Sequence, residues 1–400
     1  MKKAGKVAIV LALIGMIYFL RDWSCKRSGK YEHDGITNEG ELVVEPPEQP
    51  TDPDNTRQFT IVYSSNLNAE YDNCGCKAQP LGGLAKKATV VAKLKSEGNP
   101  LILVDGGDML FQNYQNSPEV WNILRKRAEL IVDLQKKIGI DAVNVGDQDL
   151  ATGLKYLELL EAKGFPFVSA NLRRANGMPS SIPTYRILDV NGLKIGVFGL
   201  LSNQLGYKTP NIPNPDFEVL DPFEEAKIVV EELKSKNIDI IIALSNLGFD
   251  GSTKLAQQIP EIDFIINGHD NRLLDKAEKV GNTFIFQALN RGMYLGVMHV
   301  VVIPDKFTFV DGAEREALYT EMVVLSAQTR VFQGEIANLE EVRQRLKQIS
   351  ERTEKIKERA KEFLVPLSRF DNSIVVLDDE IVPDPEIQKV VNVYKAGGNQ

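Results

Sequence analysis

Residues 101–108 read LILVDGGD, an apolar run that ends in an acid, two glycines and a second acid. A short apolar run bounded by glycine predicts a buried β-strand. A similar arrangement returns at residues 141–149 (DAVNVGDQD), and the stretch between them, 120–137, has apolar residues at helical spacing. The two runs therefore predict a strand–helix–strand unit, which is typical of an α/β fold.

The same alternation extends along the chain in both directions. A second helical stretch covers residues 222–236. Further strand-like runs lie at residues 59–63, 165–170, 194–200, 239–244, 263–267, 283–287 and 294–303. Strands that alternate with helices predict a layered α/β domain, which we place at residues 59–310.

Polar residues follow the ends of these predicted strands. In α/β folds, function resides in the loops beyond the carboxyl ends of the strands. We therefore expect the polar side chains of these loops to converge at one edge of the sheet. The candidates are Asn66, Asn68, Asp108, Asp147, Gln148, Asn246, His269 and Asn271.

The N-terminus carries a targeting signal. Three lysines precede an apolar run at residues 7–20, which is short for a membrane span and suits a signal-peptide core or a signal anchor over residues 1–25. No small-x-small cleavage site follows, which favours an uncleaved anchor in the membrane, and lipidation of Cys25 is the alternative. Residues 26–58 are polar and proline-rich, so we expect a disordered tether. These features predict a membrane-anchored protein outside the cytoplasmic membrane, in the periplasm or at the cell surface.

Composition and the C-terminal region restrict the partners. The net charge of −8 and the pI of about 5.3 leave no broad basic surface, so nucleic acid is not expected as a partner.

Residues 311–400 form a C-terminal extension in which 337–363 is a long, charged amphipathic helix with apolar residues at heptad spacing. Its apolar stripe fits packing against its own domain or a hairpin partner, which we favour. A protein partner or a homodimer seam is the alternative.

The order of the loop motifs resembles the calcineurin-like metallophosphoesterases, in the version found in bacterial 5'-nucleotidases and UDP-sugar hydrolases. The motifs that carry the resemblance span residues 59–303: 82–86 (GGLAK), 106–108 (GGD), 141–149 (DAVNVGDQD), 169–171 (SAN) and 267–270 (NGHD). With Cys-Gly-Cys at 74–76 before GGLAK, the chain looks like a divergent envelope subgroup of this family. The resemblance implies an αββα sandwich and hydrolysis of phosphoric esters at a two-metal site.

The sequence departs from the family pattern at most metal ligands. The family's Asp-x-His becomes Asn66-x-Asn68, and Asn271 stands where a second His or Gln of the Gly-His loop would be. The catalytic histidine of the family's Gly-Asn-His loop becomes Gln148, and the histidine of His-x-Gly becomes Asn246. The chain has three histidines in all, which argues against a dinuclear Zn, Fe or Mn centre.

Asp108, Asp147, Asn246 and His269 remain at the family's second metal position. Two carboxylates, an imidazole and an amide oxygen suit one divalent cation, Mg²⁺, Mn²⁺ or Ca²⁺. The alternative is purely structural: the two acids cap helix N-termini and His269 is a hydrogen-bonded loop residue. Cys74 and Cys76 add soft ligands, form a strained bond to each other, or stay free for redox chemistry or a partner, and the sequence does not choose among these.

Two functions therefore compete. The first is an envelope phosphoesterase of the 5'-nucleotidase type that hydrolyses a phosphate ester at a reduced metal site. The second is a non-catalytic pseudoenzyme that serves as a membrane-tethered binding or assembly module. A redox- or metal-linked envelope factor that uses the two cysteines has less support. Fold alone does not transmit activity, so the residues of the site decide.

Overall fold

The computed structural model describes residues 52–73, 75, 80–112, 118–204, 215–334, 340–363 and 366–397. The predicted anchor (1–25) with Cys25, the predicted tether up to residue 51, and the pair Cys74 and Cys76 lie outside the described residues. Among the described residues, no helix combines the length and the apolar character that crossing a membrane requires.

The strands follow the runs that the sequence predicts, with added short strands between them. In chain order they are β1 (Arg57–Ser64), β2 (Leu101–Asp105), β3 (Ala142–Asn144), β4 (Phe167–Val168), β5 (Leu172–Arg174), β6 (Tyr185–Val190), β7 (Leu193–Leu201), β8 (Phe217–Val219), β9 (Ile240–Asn246), β10 (Phe264–Asn267), β11 (Glu278–Val280), β12 (Thr283–Phe286), β13 (Tyr294–Val302), β14 (Phe309–Asp311) and β15 (Ser368–Val376).

The helices of the described residues separate these strands. They are α1 (Leu84–Ser96), α2 (Trp121–Ile138), α3 (Leu154–Ala162), α4 (Pro222–Ser235), α5 (Gly248–Gln258), α6 (Gly312–Gly334), α7 (Glu340–Ala360) and α8 (Pro385–Ala396). Helix α4 begins as its sequence predicts, because Asp221 accepts hydrogen bonds from two backbone N–H groups of its first turn and proline follows it.

Two sheets make the frame of the domain. The first sheet has the order β14-β15-β13-β1-β2-β3-β4, and the second has the order β11-β12-β10-β9-β7-β6. Strands β1, β2 and β3 are parallel neighbours in the first sheet, and β7, β9 and β10 are parallel neighbours in the second. The carboxyl ends of parallel neighbours meet at one sheet edge, so the predicted loops within each sheet are gathered together.

Buried side chains show how the layers stack. One apolar cluster joins the facing sides of the two sheets, with Ile61 and Val104 from the first and Ile242 from the second. A second cluster covers the other face of the first sheet with helices α1, α2, α3 and α8, and a third covers the other face of the second sheet with α4 and α5. The architecture is the predicted αββα sandwich.

The C-terminal region takes part in this sandwich. Strand β15 lies between β13 and β14 in the first sheet, antiparallel to β13. Helix α8 contributes Ile387 and Val391 to the cluster that covers that sheet. Residues of the predicted extension therefore complete the main domain, because β13 would otherwise expose its backbone N–H and C=O groups along one side.

The long charged helix is half of a helical hairpin. Helix α7 packs against α6, and the cluster between them and the following turn consists of Val310, Leu318, Met322, Leu325, Ile356, Ala360 and Phe363. The heptad stripe predicted from the sequence thus contacts a helix of the same chain. This is the hairpin alternative of the sequence analysis.

The first strand begins inside the stretch, residues 26–58, that the sequence predicts as a disordered tether. Strand β1 begins at Arg57, and the Arg369 guanidinium of β15 donates two hydrogen bonds of 2.7 Å to the Asp52 carboxylate. This bidentate pair holds the chain against the sheet several residues before β1. It joins residues 317 positions apart, so no local sequence pattern could predict it.

Asp263, just before β10, gives the fold a pH dependence. Burial raises the pKa of its carboxyl to about 7, although the Ile241 N–H donates to it. The folded pKa lies above the unfolded one, so this group's contribution to stability is present below pH ~4 and is lost as the pH rises towards 7. Relative to wild type, Asp263→Asn is therefore expected to gain about 4 kcal/mol of unfolding free energy between pH 4 and pH 8. Urea unfolding at both pH values measures this, and a pH-independent difference would contradict it.

Candidate metal site at the sheet edge

Asp108, Asp147 and His269 meet where the two sheets end. Each residue comes shortly after a strand: Asp108 after β2, Asp147 after β3 and His269 after β10. One side-chain ligand atom from each lies within 4.8 Å of the others. His269 Nδ1 is 3.3 Å from Asp147 Oδ1. The structure thus brings these three together, and Asn246, the fourth residue expected to hold a cation, lies beside them.

The backbone of the site loops is strained. Asn66, Asn68, Asp108 and His269 have φ values of 53°, 53°, 57° and 74°. This left-handed region disfavours residues with a Cβ atom, least so for Asn and Asp. Such conformations persist only where the surroundings fix them, and they concentrate at functional sites. One such restraint is the Asn68 N–H, which donates to the Asp108 carbonyl at 2.8 Å.

Asn246, the fourth expected ligand, is bound to both acids. Its Nδ2 donates to Asp108 Oδ2 at 2.9 Å, and its Oδ1 accepts the Asp147 backbone N–H at 3.2 Å. The amide oxygen expected to face a cation is therefore engaged with a backbone donor. In this arrangement Asn246 orients the Asp108 carboxylate and holds the backbone of Asp147.

The electrostatics of the site are those of crowded buried acids. Burial, together with the charges of Asp147 and Asp149, raises the pKa of Asp108 well above its usual value, although hydrogen bonds from Asn246 and Gln148 oppose the rise. The hydrogen bond and the charge of Asp147 raise the pKa of His269, while burial opposes that rise. The site therefore attracts positive charge.

The ligand chemistry fits one divalent cation. Asp108 is fully buried and Asp147 is 2% exposed, and buried charges require a partner of opposite sign. A cation among these two carboxylates and the His269 imidazole would supply it, and the set suits Mg²⁺, Mn²⁺ or Ca²⁺. In addition, Asn68 Oδ1 and Gln148 Oε1 are buried and have no hydrogen-bond partner among the described residues, and both residues donate backbone N–H groups to Asp108.

The positions equivalent to the family's first metal are arranged differently. The Asn66 side chain is hydrogen-bonded through both ends, to the His269 N–H and to the Asp270 carbonyl. Asn271 is exposed, and its Oδ1 accepts a hydrogen bond of 2.7 Å from Asn290. The Asn66 and Asn271 amides bond to the protein, so the first metal of the related two-metal site does not fit here.

Asp149 was missed as a functional residue by the sequence analysis. Its carboxylate accepts the backbone N–H groups of Asp108, Gly146 and Leu110 at 3.0, 2.9 and 2.7 Å. It thus ties the β2 loop to the β3 loop and fixes Asp108. The available signal was the second acid of Gly-Asp-Gln-Asp, directly after the residue expected in catalysis.

A buried lysine was missed as well. Lys87 Nζ donates to Ser64 Oγ at 3.1 Å, and Ser64 donates to Asp105 Oδ2 at 2.6 Å. Burial lowers the pKa of Lys87 to about 8, although the Asp105 charge opposes this. Asp105 Oδ1 also accepts the Gly107 N–H at 3.0 Å, so the ammonium group balances an acid that holds the Asp108 loop. A lysine inside the apolar face of α1 was the signal.

Sequence comparison finds relatives, although no family model matches the chain. A 5'-nucleotidase of Diplobatis ommata is 31% identical over 230 residues, which are 54% of this chain and 38% of that protein. A snake venom 5'-nucleotidase of Gloydius brevicauda is 27% identical over 276 residues, 61% of this chain and 45% of that protein. The chain therefore spans less than half the length of these curated relatives.

Structure comparison supports the fold. The calcineurin-like phosphoesterase YfkN of Bacillus subtilis superposes with a TM-score of 0.59 at 19% identity, covering 86% of this chain and 98% of that structure. At this identity the likeness establishes the fold and leaves the chemistry to the site residues.

Proposed function

We propose that this chain, a divergent relative of the calcineurin-like 5'-nucleotidases, binds one divalent cation through Asp108, Asp147 and His269 and hydrolyses phosphate esters there. The observation that carries the proposal is the convergence of these three ligand groups, two of them buried acids, at the edge where the sheets end. When bound, the cation supplies Lewis-acid stabilisation of the negative charge on a phosphoryl group.

The residues of the chain supply orientation and charge. Asn246 holds Asp108 and Asp147 in register, and Asp149 fixes the loop that carries Asp108. Because these contacts come from the protein, the ligand groups are preorganised before a cation enters. Preorganised charge is the largest source of rate enhancement in many enzymes.

Gln148 sets the class of substrate. A glutamine amide donates hydrogen bonds but cannot transfer a proton to a leaving group. Esters whose leaving group departs as a stable anion should therefore react, whereas esters of ordinary alcohols should react slowly. Aryl and acid-anhydride phosphates fit this requirement better than the ribose 5'-ester of a nucleotide. Nucleotide hydrolysis is accordingly the weaker activity of this proposal.

A second candidate function is binding of a phosphate ester without turnover. The observations that favour it are the Asn66 amide, hydrogen-bonded where a metal ligand would stand, and Gln148 in place of a proton donor. On this proposal the chain is a pseudoenzyme and a membrane-tethered binding or assembly module. Cation binding at the three ligands is common to both candidates, so turnover separates them.

The location follows from the N-terminal sequence. The apolar run at residues 7–20 supports attachment to the membrane with the main domain outside the cytoplasmic membrane. Relatives named as 5'-nucleotidases of snake venom support this part of the proposal. A protein partner or a homodimer remains a proposal for the α6–α7 hairpin, whose exposed side carries Val323 and Val324.

Removal of the metal gives the direct test. The full chain, stripped with EDTA and then titrated with Mn²⁺, Mg²⁺, Ca²⁺ or Zn²⁺, is expected to bind one cation and to gain thermal stability by mass action. Turnover of bis-p-nitrophenyl phosphate should appear with the cation, and should exceed that of AMP by at least ~100-fold, because p-nitrophenolate leaves without a proton.

Three outcomes decide between the candidates. Stoichiometric cation with turnover supports the hydrolase. Stoichiometric cation with no turnover of either ester, but with phosphate-ester binding, supports the binding module. Failure to bind any of the four cations overturns both, and the buried acids would then be structural.

A further inference from the structure

Every polar group of Asn66, in the backbone and in the side chain, forms a hydrogen bond. Its N–H donates to the Gly107 carbonyl at 2.8 Å, and its carbonyl accepts the Arg291 N–H at 2.7 Å. In the side chain, Oδ1 accepts the His269 N–H and Nδ2 donates to the Asp270 carbonyl, each at 2.8 Å. The residue is 1% exposed. These bonds join the loop after β1 to three other loops.

The side-chain pair of bonds requires an amide. The backbone of His269 offers a donor and that of Asp270 offers an acceptor, so the matching side chain needs one acceptor end and one donor end. A carboxylate has acceptors only, and its second oxygen would lie about 2.8 Å from the Asp270 carbonyl oxygen. The site is thus complementary to asparagine and not to aspartate.

The same bonds fix the backbone of a cation ligand. His269 has a φ of 74°, a conformation that needs support from its surroundings. Its N–H is held by Asn66, and the next carbonyl, that of Asp270, is held by Asn66 and by Gln287. These bonds place the His269 ring beside Asp147.

We infer that the Asn66 carboxamide is a staple that has replaced one metal ion of the related two-metal site. It joins the β1 and β10 loops by hydrogen bonds and orients His269 for the remaining cation. Asn66 is therefore a positioning residue, and the chain binds one cation rather than two. The role of the remaining cation rests on the proposed function, whereas the staple rests on the hydrogen bonds alone.

The test compares three single variants and one double variant of the full chain at neutral pH or above. Asn66→Asp keeps the shape of the side chain and removes the donor. Asn66→Gly removes the amide and tolerates a φ of 53°. Asn68→Asp is the matched control, because it makes the same chemical change at the same φ in the same loop, at a side chain whose amide oxygen has no hydrogen-bond partner among the described residues.

The expected results concern stability without metal and cation stoichiometry. In EDTA, Asn66→Asp and Asn66→Gly should each lower Tm by roughly 5 °C or more, since a buried donor or acceptor is left unpaired, and Asn68→Asp should lower it less. In saturating Mn²⁺, Asn66→Asp should bind no more than one ion per chain. The double variant that combines Asn66→Asp with Asn68→His restores the family's Asp-x-His, and it should also bind no more than one ion.

A second Mn²⁺ ion in either of these variants, with wild-type Tm in EDTA, would overturn the inference. Loss of the Asn66 amide without a fall in Tm would overturn it as well. If wild type binds no Mn²⁺ but the Asn66 variants lose stability in EDTA beyond Asn68→Asp, the staple stands and the proposed cation site fails. The two proposals can therefore fail separately.

Discussion

Asp147→Asn is expected to weaken cation binding and phosphoester turnover by at least ~100-fold while leaving the fold intact. Asp147 supplies one of two buried carboxylates of the site and lies 3.3 Å from His269 Nδ1. Loss of an outer-shell partner of a metal ligand costs 10–100-fold in affinity, and loss of a charged ligand costs more. The backbone tolerates asparagine here, because the φ of Asp147 is −64° and its N–H remains bonded to Asn246.

The thermal stability of Asp147→Asn in the absence of metal should not fall, although its activity does. The charge of Asp147 contributes to the raised pKa of Asp108, so its removal relieves repulsion between buried acids. We therefore expect the Tm in EDTA to be equal to or above that of wild type, and the rise in Tm on adding Mn²⁺ to disappear. Calorimetric Mn²⁺ titration and thermal unfolding measure both effects.

Asp216→Asn is the matched control for this prediction. The Asp216 carboxylate caps helix α3 by accepting the N–H groups of Leu154 and Lys155 at 2.8 and 2.9 Å, and it is not one of the cation ligands. This variant should keep wild-type Mn²⁺ affinity and turnover. Retention of Mn²⁺-dependent turnover in Asp147→Asn would show that the acid is structural.

Gly146→Ala is expected to remove cation binding and to lower the free energy of unfolding by about 2–4 kcal/mol. A Cβ atom at this position would lie 2.2 Å from Asp108 Oδ1 and 2.3 Å from the Asp108 backbone nitrogen. Asp108 is fully buried, and Asn246, Gln148 and Asp149 fix it by hydrogen bonds, so rotation of its side chain cannot relieve the clash. The loop itself must move, and the ligand group moves with it.

Gly98→Ala separates this clash from ordinary backbone strain. Gly98 has a φ of 90°, but a Cβ atom there would meet nothing within 4 Å. We expect this control to lose roughly 1–2 kcal/mol through strain and to keep wild-type Mn²⁺ affinity. Urea unfolding in EDTA and Mn²⁺ titration compare the two variants. Unchanged Mn²⁺ affinity in Gly146→Ala would refute the close packing of the two loops.

The site illustrates which parts of a candidate centre can be predicted from residues alone. The convergence of Asp108, Asp147 and His269 was predictable because each follows a buried strand, and the carboxyl ends of parallel strands meet at one edge. The role of Asn246 was not, because an amide can ligate a cation or orient carboxylates, and only the position of its neighbours decides between these. Its hydrogen-bond partners are 138 and 99 residues away in the chain.

The fold, too, has parts that the sequence predicts and parts that only the tertiary structure decides. The apolar runs, their order and the helical stretches between them sufficed to predict the layered α/β domain, because each is a local pattern. Only the tertiary structure decided that β15 lies between β13 and β14, and that the α7 stripe packs on α6. It also decided that Asn66 is bonded to residues more than 200 positions away. Local sequence determines what each segment can form, whereas pairing between distant segments depends on which donor and acceptor the fold places opposite each other.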